Sequence, residues 1–253
     1  MMISHARLVV PAAGFALVAA CLLLGAGSAQ DREGAQGTPA PAAKEAQPAA
    51  KRVGDPYPFD FHPITGEKFG EGEHPMVVVI DGRELRVSCE LCVTAWKNDQ
   101  KALEEKLDEK IKESQRPWYP LKHCLVEKSD ELDTYIPAHE IVYGNRLIRF
   151  CCPDCEAPFR EKAESYLKEL DAAVVKAQKP DYPFDTCIVS GEKLGSMGEP
   201  VDHVCANRLI RLCCESCIAQ FEENPARYLA MLDEARAKKA AAREPDAQPP
   251  SDR

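Results

Sequence analysis

This sequence lacks an excess of positive charge. Its 253 residues hold 32 Lys and Arg against 41 Asp and Glu, a formal net charge of −9. That balance argues against a binder of nucleic-acid backbone, which needs a basic face. It also lacks the short motifs of several enzyme classes. There is no His-Glu-x-x-His, no Gly-rich phosphate loop and no nucleophile elbow. No Cys-x-x-Cys is followed by His, which excludes covalent c-type haem. Acidic residues are numerous, but those such as Glu104, Glu105, Asp108 and Glu109 sit at the spacing of a solvated helix face. No catalytic acid–base pair stands out, so no enzyme is expected. Apolar residues are not scarce: at 45% hydrophobic the chain is not disordered throughout. What it has in excess is cysteine, 12 in all.

The N-terminus reads as a targeting segment. Arg7 is the only Lys, Arg, Asp or Glu in the first thirty residues. An apolar run from Leu8 to Leu24 follows, interrupted by Pro11 and Gly14, and Gly27-Ser28-Ala29 supplies small residues for cleavage. The run is short for a membrane span. Residues 1–29 are therefore expected to be a secretory signal, which places the protein in the periplasm or outside the cell, with no membrane span after cleavage. A second reading takes Val18-Ala19-Ala20-Cys21 as a bacterial lipoprotein box that would anchor the chain through lipid on Cys21. Residues 30–52 are rich in Ala, Pro, Gln and Gly and read as a disordered linker, and 245–253 as a disordered tail.

Three copies of one unit fill the rest. Tyr57-Pro58-Phe59, Tyr119-Pro120-Leu121 and Tyr182-Pro183-Phe184 start them, 62 and 63 residues apart. Cys92, Cys155 and Cys217 each close a Cys-x-x-Cys at matching intervals, and Asn-Arg-Leu-Ile-Arg occurs at 145–149 and 207–211. Such self-similarity marks duplicated units, with bounds of 53–116 (degenerate), 117–179 and 180–244. In each, β-rich runs flank a turn: 76–80 and 84–87, then 141–143 and 147–150, then 201–205 and 209–212. A helical pattern follows the cysteines, with Trp96, Leu103 and Leu107 matched by Phe159, Tyr166 and Leu170, and by Phe221, Tyr228 and Leu232. Asn224-Pro225 predicts a helix break in the third copy only. Each unit thus reads as an opening loop, a β-hairpin and a helix that begins at the cysteines.

A unit of sixty-odd residues buries about 60% of its unfolded surface and is marginal alone, so a disulfide or a metal is expected to support it. Five residues after each initial Tyr stands Cys124 in the second copy and Cys187 in the third, but His62 in the first. Imidazole cannot enter a disulfide, whereas a transition metal accepts Cys sulfur and His nitrogen alike. The three copies share His62/Cys89/Cys92, Cys124/Cys152/Cys155 and Cys187/Cys214/Cys217. A Cys-x-x-Cys at a helix start also favours thiolate. For a fourth ligand, Cys151 and Cys213 are candidates in the second and third copies, where the first has Ser88. His74, His139 and His203 are weaker candidates. Cys205 occurs in the third copy alone and reads as a small buried apolar residue. Competing readings are a structural disulfide set, natural for a secreted chain, and a redox Cys-x-x-Cys, although no thioredoxin-like βαβ pattern surrounds it.

The third copy, from Tyr182-Pro183-Phe184-Asp185-Thr186-Cys187 through Arg211-Leu212-Cys213-Cys214-Glu215-Ser216-Cys217 to Phe221 and Tyr228-Leu229, resembles the YHS and TRASH-type heavy-metal-binding domains. The second copy repeats the pattern from Tyr119 to Leu170, and the first follows it more weakly. The resemblance implies a treble-clef-like finger in each copy, so the expected fold class is α+β with three such fingers in tandem. It also implies pairing of Cys151 with Cys155 and of Cys213 with Cys217, and a role in binding, sensing or trafficking zinc or copper(I). The expected partners are metal ions and another metal-trafficking or membrane protein. The alternatives are a structural or interaction array of small stabilised domains and a thiol redox protein.

Overall fold

The computed structural model describes residues 51–242, apart from 71 and 135. The expected signal segment, Cys21 and its lipoprotein alternative, the linker up to residue 50 and the tail 245–253 lie outside the described residues. Among those described, no helix is long and apolar enough to cross a membrane.

The fold class is α+β. Three antiparallel hairpins alternate with helices: β1 (Met76–Ile80) and β2 (Arg83–Val87), β3 (His139–Tyr143) and β4 (Arg146–Phe150), β5 (Val201–Cys205) and β6 (Arg208–Leu212). Each hairpin is its own two-stranded sheet, and register is equivalent in all three, with Val78 opposite Leu85, Ile141 opposite Ile148 and His203 opposite Ile210. The two-residue turns explain the turn residues in the sequence. Asp81 and Gly82 have φ of 49° and 83°, Ala206 and Asn207 50° and 57°, the conformation that matches strand twist in a tight hairpin.

The helix after each hairpin is broken in all three copies, not in the third alone. The pairs are α1 (Glu90–Asn98) and α2 (Gln100–Gln115), α3 (Glu156–Glu161) and α4 (Ala163–Gln178), α5 (Ser216–Glu223) and α6 (Pro225–Ala241). Asn224 caps α6 as its sequence suggests, accepting from the Arg227 N–H at 3.3 Å. Asp99 and Lys162 break the chain at φ near −130° without any side-chain cap. α2 lies on β3 and β4, and α4 on β5 and β6, so each of these two helices also serves the hairpin of the following repeat.

Three separate apolar clusters result. One gathers Leu85, Trp96, Leu103 and Leu107, the next Ile148, Phe150, Phe159 and Leu170, the last Leu209, Leu212, Phe221 and Leu232. Each such side chain contributes about 1.5–3 kcal/mol on burial. Between the clusters the repeats are joined by buried polar groups. Gln115 at the end of α2 donates to the Asn145 carbonyl at 2.8 Å and accepts from the Leu147 N–H at 2.9 Å. Gln178 at the end of α4 does the same with Asn207 and Leu209. Arg83 donates to the Asn145 side chain at 3.0 Å, and Arg146 to that of Asn207 at 2.9 Å. The third repeat also returns to the first: Arg86 donates to the Glu222 and Glu223 carbonyls at 2.7 and 2.6 Å, and Asp55 accepts from the Ala206 N–H at 2.6 Å. Arg52, placed in the linker by composition, ion-pairs with Glu84 and Glu222, so the folded part begins at least there.

Candidate metal centre

In each repeat the opening turn is a short knuckle. In the third, the Cys187 N–H donates to the Glu192 carbonyl and the Gly191 N–H to the Cys187 carbonyl, at 2.7 and 2.8 Å. The first repeat reproduces both bonds with His62, Glu67 and Gly66 at 2.8 Å. Gly66 and Gly191 make the turn with φ of 74° and 78°, in the left-handed region that suits glycine. The knuckle aims the Cys187 sulfur at the junction of β6 and α5, where Cys213 and Cys217 stand. In the second repeat it aims Cys124 at Cys151 and Cys155.

Two groups of thiols converge there. The sulfurs of Cys124, Cys151 and Cys155 all lie within 4.8 Å of one another, as do those of Cys187, Cys213 and Cys217. Cys155 Sγ is 3.7 Å from both Cys124 Sγ and Cys151 Sγ, and Cys213 Sγ is 3.7 Å from Cys217 Sγ. A tetrahedral ion with metal–sulfur bonds of about 2.3 Å has sulfur–sulfur edges of about 3.75 Å. The thiol spacing and the donor chemistry therefore fit a soft transition metal, and these clusters can hold one. Cys124, Cys155, Cys187, Cys213 and Cys217 are buried, and Cys151 is half-buried.

The triads differ from the set the three copies share by spacing. Cys151 and Cys213 are members, while Cys152 and Cys214 stand outside, each 3.8 Å from the last cysteine of its repeat. The reason is the backbone at the helix start. Cys151 and Cys213 follow the buried end of a strand directly, whereas Cys152 and Cys214 sit one residue further on. In the first repeat no comparable triad forms among the described residues. Ser88 occupies the place of Cys151 and Cys213, and Cys89 and Cys92 are left as a pair with sulfurs 3.1 Å apart. His62 copies a different part of the cysteine's role. Its Nδ1 accepts the Ile64 and Thr65 N–H groups at 3.2 and 3.5 Å, as Cys124 Sγ accepts from Glu127 and Cys187 Sγ from Ser190. Its Nε2 is buried with no hydrogen-bond partner, and His62 lines a cavity of about 230 Å³ with Ser88 and Cys92.

Electrostatics separate the thiols within a triad. Burial raises the Cys187 thiol, but the Ser190 hydroxyl and the N–H groups of Ser190, Cys213 and Val189 together outweigh it and bring it to about 7. Burial likewise opposes ionisation of Cys124, and backbone donors at Cys151, Glu127 and Val126 overcome it. Cys155 and Cys217 are pushed up to about 12 by burial and by their neighbouring thiols. In each site the knuckle sulfur is thus the thiol whose ionisation is favoured, while Cys155 and Cys217 keep protons that an arriving metal must displace.

The fourth corner differs between sites. At the third repeat the Ser190 hydroxyl lies 3.3 Å from Cys213 Sγ. At the second, Cys151 lines a cavity of about 490 Å³ with Ser129, Asp130, Glu131 and Asp133. Asp130 is not legible in the sequence because a lone Asp carries no ligand signature without its neighbours in space. His139 pairs with Glu156 at 3.3 Å, His203 packs edge-on against Phe221 and His74 is exposed; none joins a triad. Cys205 is fully buried, and burial raises its thiol well above the usual range. No disulfide links any of the eleven described cysteines. Against protein-family models, curated proteins and solved structures, the chain shows no match.

Proposed function

We propose that this chain is an exported metal-binding protein, a carrier, buffer or resistance factor for zinc or copper(I). On this reading its three repeats are treble-clef-like fingers of the YHS/TRASH type, two of them metal-loaded and the first retained for the fold. One observation carries the proposal: the same three-thiol arrangement is built twice, from matching positions of two repeats. Soft thiolates select Cu(I) and Zn²⁺ over hard cations. Three protein ligands leave one position open, as suits an ion that must be delivered or received rather than only stored. The partner would then be another metal-trafficking or membrane protein outside the cytoplasm.

The test is anaerobic reconstitution of the reduced chain, followed by metal analysis and native mass spectrometry. Two equivalents are expected to bind tightly. Less than one equivalent of every transition metal tried would sink the proposal.

A second reading rests on the position of the sites. Each triad ties an opening turn to a helix start, so its metal would also brace a small core and the protein would serve as a structural or interaction array. Chelation separates the two. A structural ion leaves the repeat unfolded when removed, whereas a cargo ion leaves the hairpins and helices in place.

A further inference from the structure

In the third repeat a fourth thiol, that of Cys214, stands beside the triad. Cys213 and Cys217 lie 3.7 Å apart and form an edge shared by two triangles. The inner triangle is completed by Cys187, which is 1% exposed and within 4.8 Å of both. The outer one is completed by half-buried Cys214, whose sulfur is 3.8 Å from Cys213 Sγ and 3.8 Å from Cys217 Sγ. Cys187 and Cys214 thus each complete a triangle on one pair of sulfurs, Cys187 fully buried and Cys214 half-buried. Cys214 is kept in place by the Ser216 hydroxyl at 3.0 Å. The inner site by itself has no exposed thiol, so an ion bound there needs a first ligand that solvent or a donor protein can reach.

We infer that Cys214 is the thiol through which metal enters and leaves the third-repeat site. Resting on the metal-binding reading above, this assigns Cys214 a kinetic role distinct from that of the resting ligands. The ion is first held by Cys214, Cys213 and Cys217. It then passes to the inner triangle as the bond to Cys187 sulfur forms and the bond to Cys214 sulfur breaks. Cys187 enters as thiolate and Cys214 leaves as thiolate, so the oxidation state of the metal and the net charge are unchanged. Two of the three sulfurs stay bound throughout, so the ion is never released to water during the step.

The experiment compares Cys214→Ser with its parent in a Cys151→Ser background, which disables the second-repeat triad. Copper(I) is exchanged with a colorimetric competing chelator, and both affinity and rates are measured. Cys214→Ser is expected to keep the affinity within about threefold while loading and release slow more than tenfold. Cys187→Ser, as the contrast, is expected to lose more than a hundredfold in affinity. Exchange rates that slow less than tenfold in Cys214→Ser overturn the inference. So does an affinity loss beyond threefold, which would make Cys214 a resting ligand. Cys214 is only half-buried and lies outside the inner triangle, and Cys214→Ala repeats the comparison without a hydroxyl. A parent chain that takes up no copper(I) and no zinc would overturn the metal-binding reading, and with it this inference; a parent that loads normally isolates the role of Cys214.

Discussion

Asn145→Ala tests whether the repeats stand or fall together. Asn145 is fully buried at the hairpin turn of the second repeat. Its side-chain oxygen accepts from Arg83 Nε at 3.0 Å, and its amide donates to the Asp55 and Glu84 carbonyls at 3.2 and 2.9 Å. All three partners belong to the first repeat. Truncation leaves a charged donor and two carbonyls without this partner. A buried group stripped of its partner costs about 1–3 kcal/mol, more when charged. Arg83 has little room to compensate, since its Nη2 is already buried without a partner and its Nη1 is held by Asp108 at 2.7 Å. The sum is a loss of about 3–5 kcal/mol, a large share of the 5–15 kcal/mol of an ordinary domain. With a urea slope of about 2 kcal/mol/M the midpoint falls by about 2 M. The assay is urea unfolding of the reduced, metal-free chain followed by circular dichroism, with the exposed Asn98→Ala as a control expected within about 0.5 kcal/mol of wild type. A loss below about 1 kcal/mol would refute this reasoning. Two separated transitions in the parent protein would do so as well, because the repeats would then be independent beads.

Three further outcomes follow from the same geometry. Cys124→Ser removes the knuckle sulfur of the second repeat and should lower metal uptake by one equivalent while leaving the third-repeat site at its original affinity, read by native mass spectrometry. The double change His62→Cys with Ser88→Cys rebuilds in the first repeat the three positions that form triads elsewhere, together with Cys92, and should add one equivalent; unchanged stoichiometry would count against the assignment of Ser88 as the missing ligand. Gly144 has φ of 64°, and a Cβ there would stand 2.1 Å from the Val53 carbonyl oxygen. Gly144→Ala should therefore cost about 3 kcal/mol or more, from left-handed strain and from the displaced backbone, visible as a fall in thermal midpoint.

Much of this is legible in the chain. The 62- and 63-residue spacing locates all three hairpins to within two residues, because alternating apolar runs around Gly and Asn turns have few other solutions. The helix breaks at Asp99 and Lys162 are not legible, since neither residue makes a side-chain cap; the helices that follow them pack on the next hairpin, a tertiary contact. The joining of the repeats is hidden for the same reason. Asn145, Gln115 and Arg83 read as ordinary polar residues until their partners in other repeats are known. At the candidate metal centre the cysteines are plain, but spacing alone favours Cys152 and Cys214 as ligands. Only the direction in which the strand delivers Cys151 and Cys213 decides which sulfurs face the knuckle. His62 is legible as a stand-in for cysteine; that it keeps the turn's hydrogen bonds while Ser88 breaks the triad required the structure.

The most direct test of the central claim is X-ray absorption at the metal edge of the fully loaded chain, zinc and copper(I) samples in turn. Three-thiol binding predicts a first shell dominated by about three sulfurs per ion, at about 2.3 Å for zinc, lost in step with metal uptake when Cys124 and Cys187 are replaced together. A shell of nitrogen and oxygen alone at about 2.0–2.2 Å, or a sulfur shell that survives that double replacement, would contradict it.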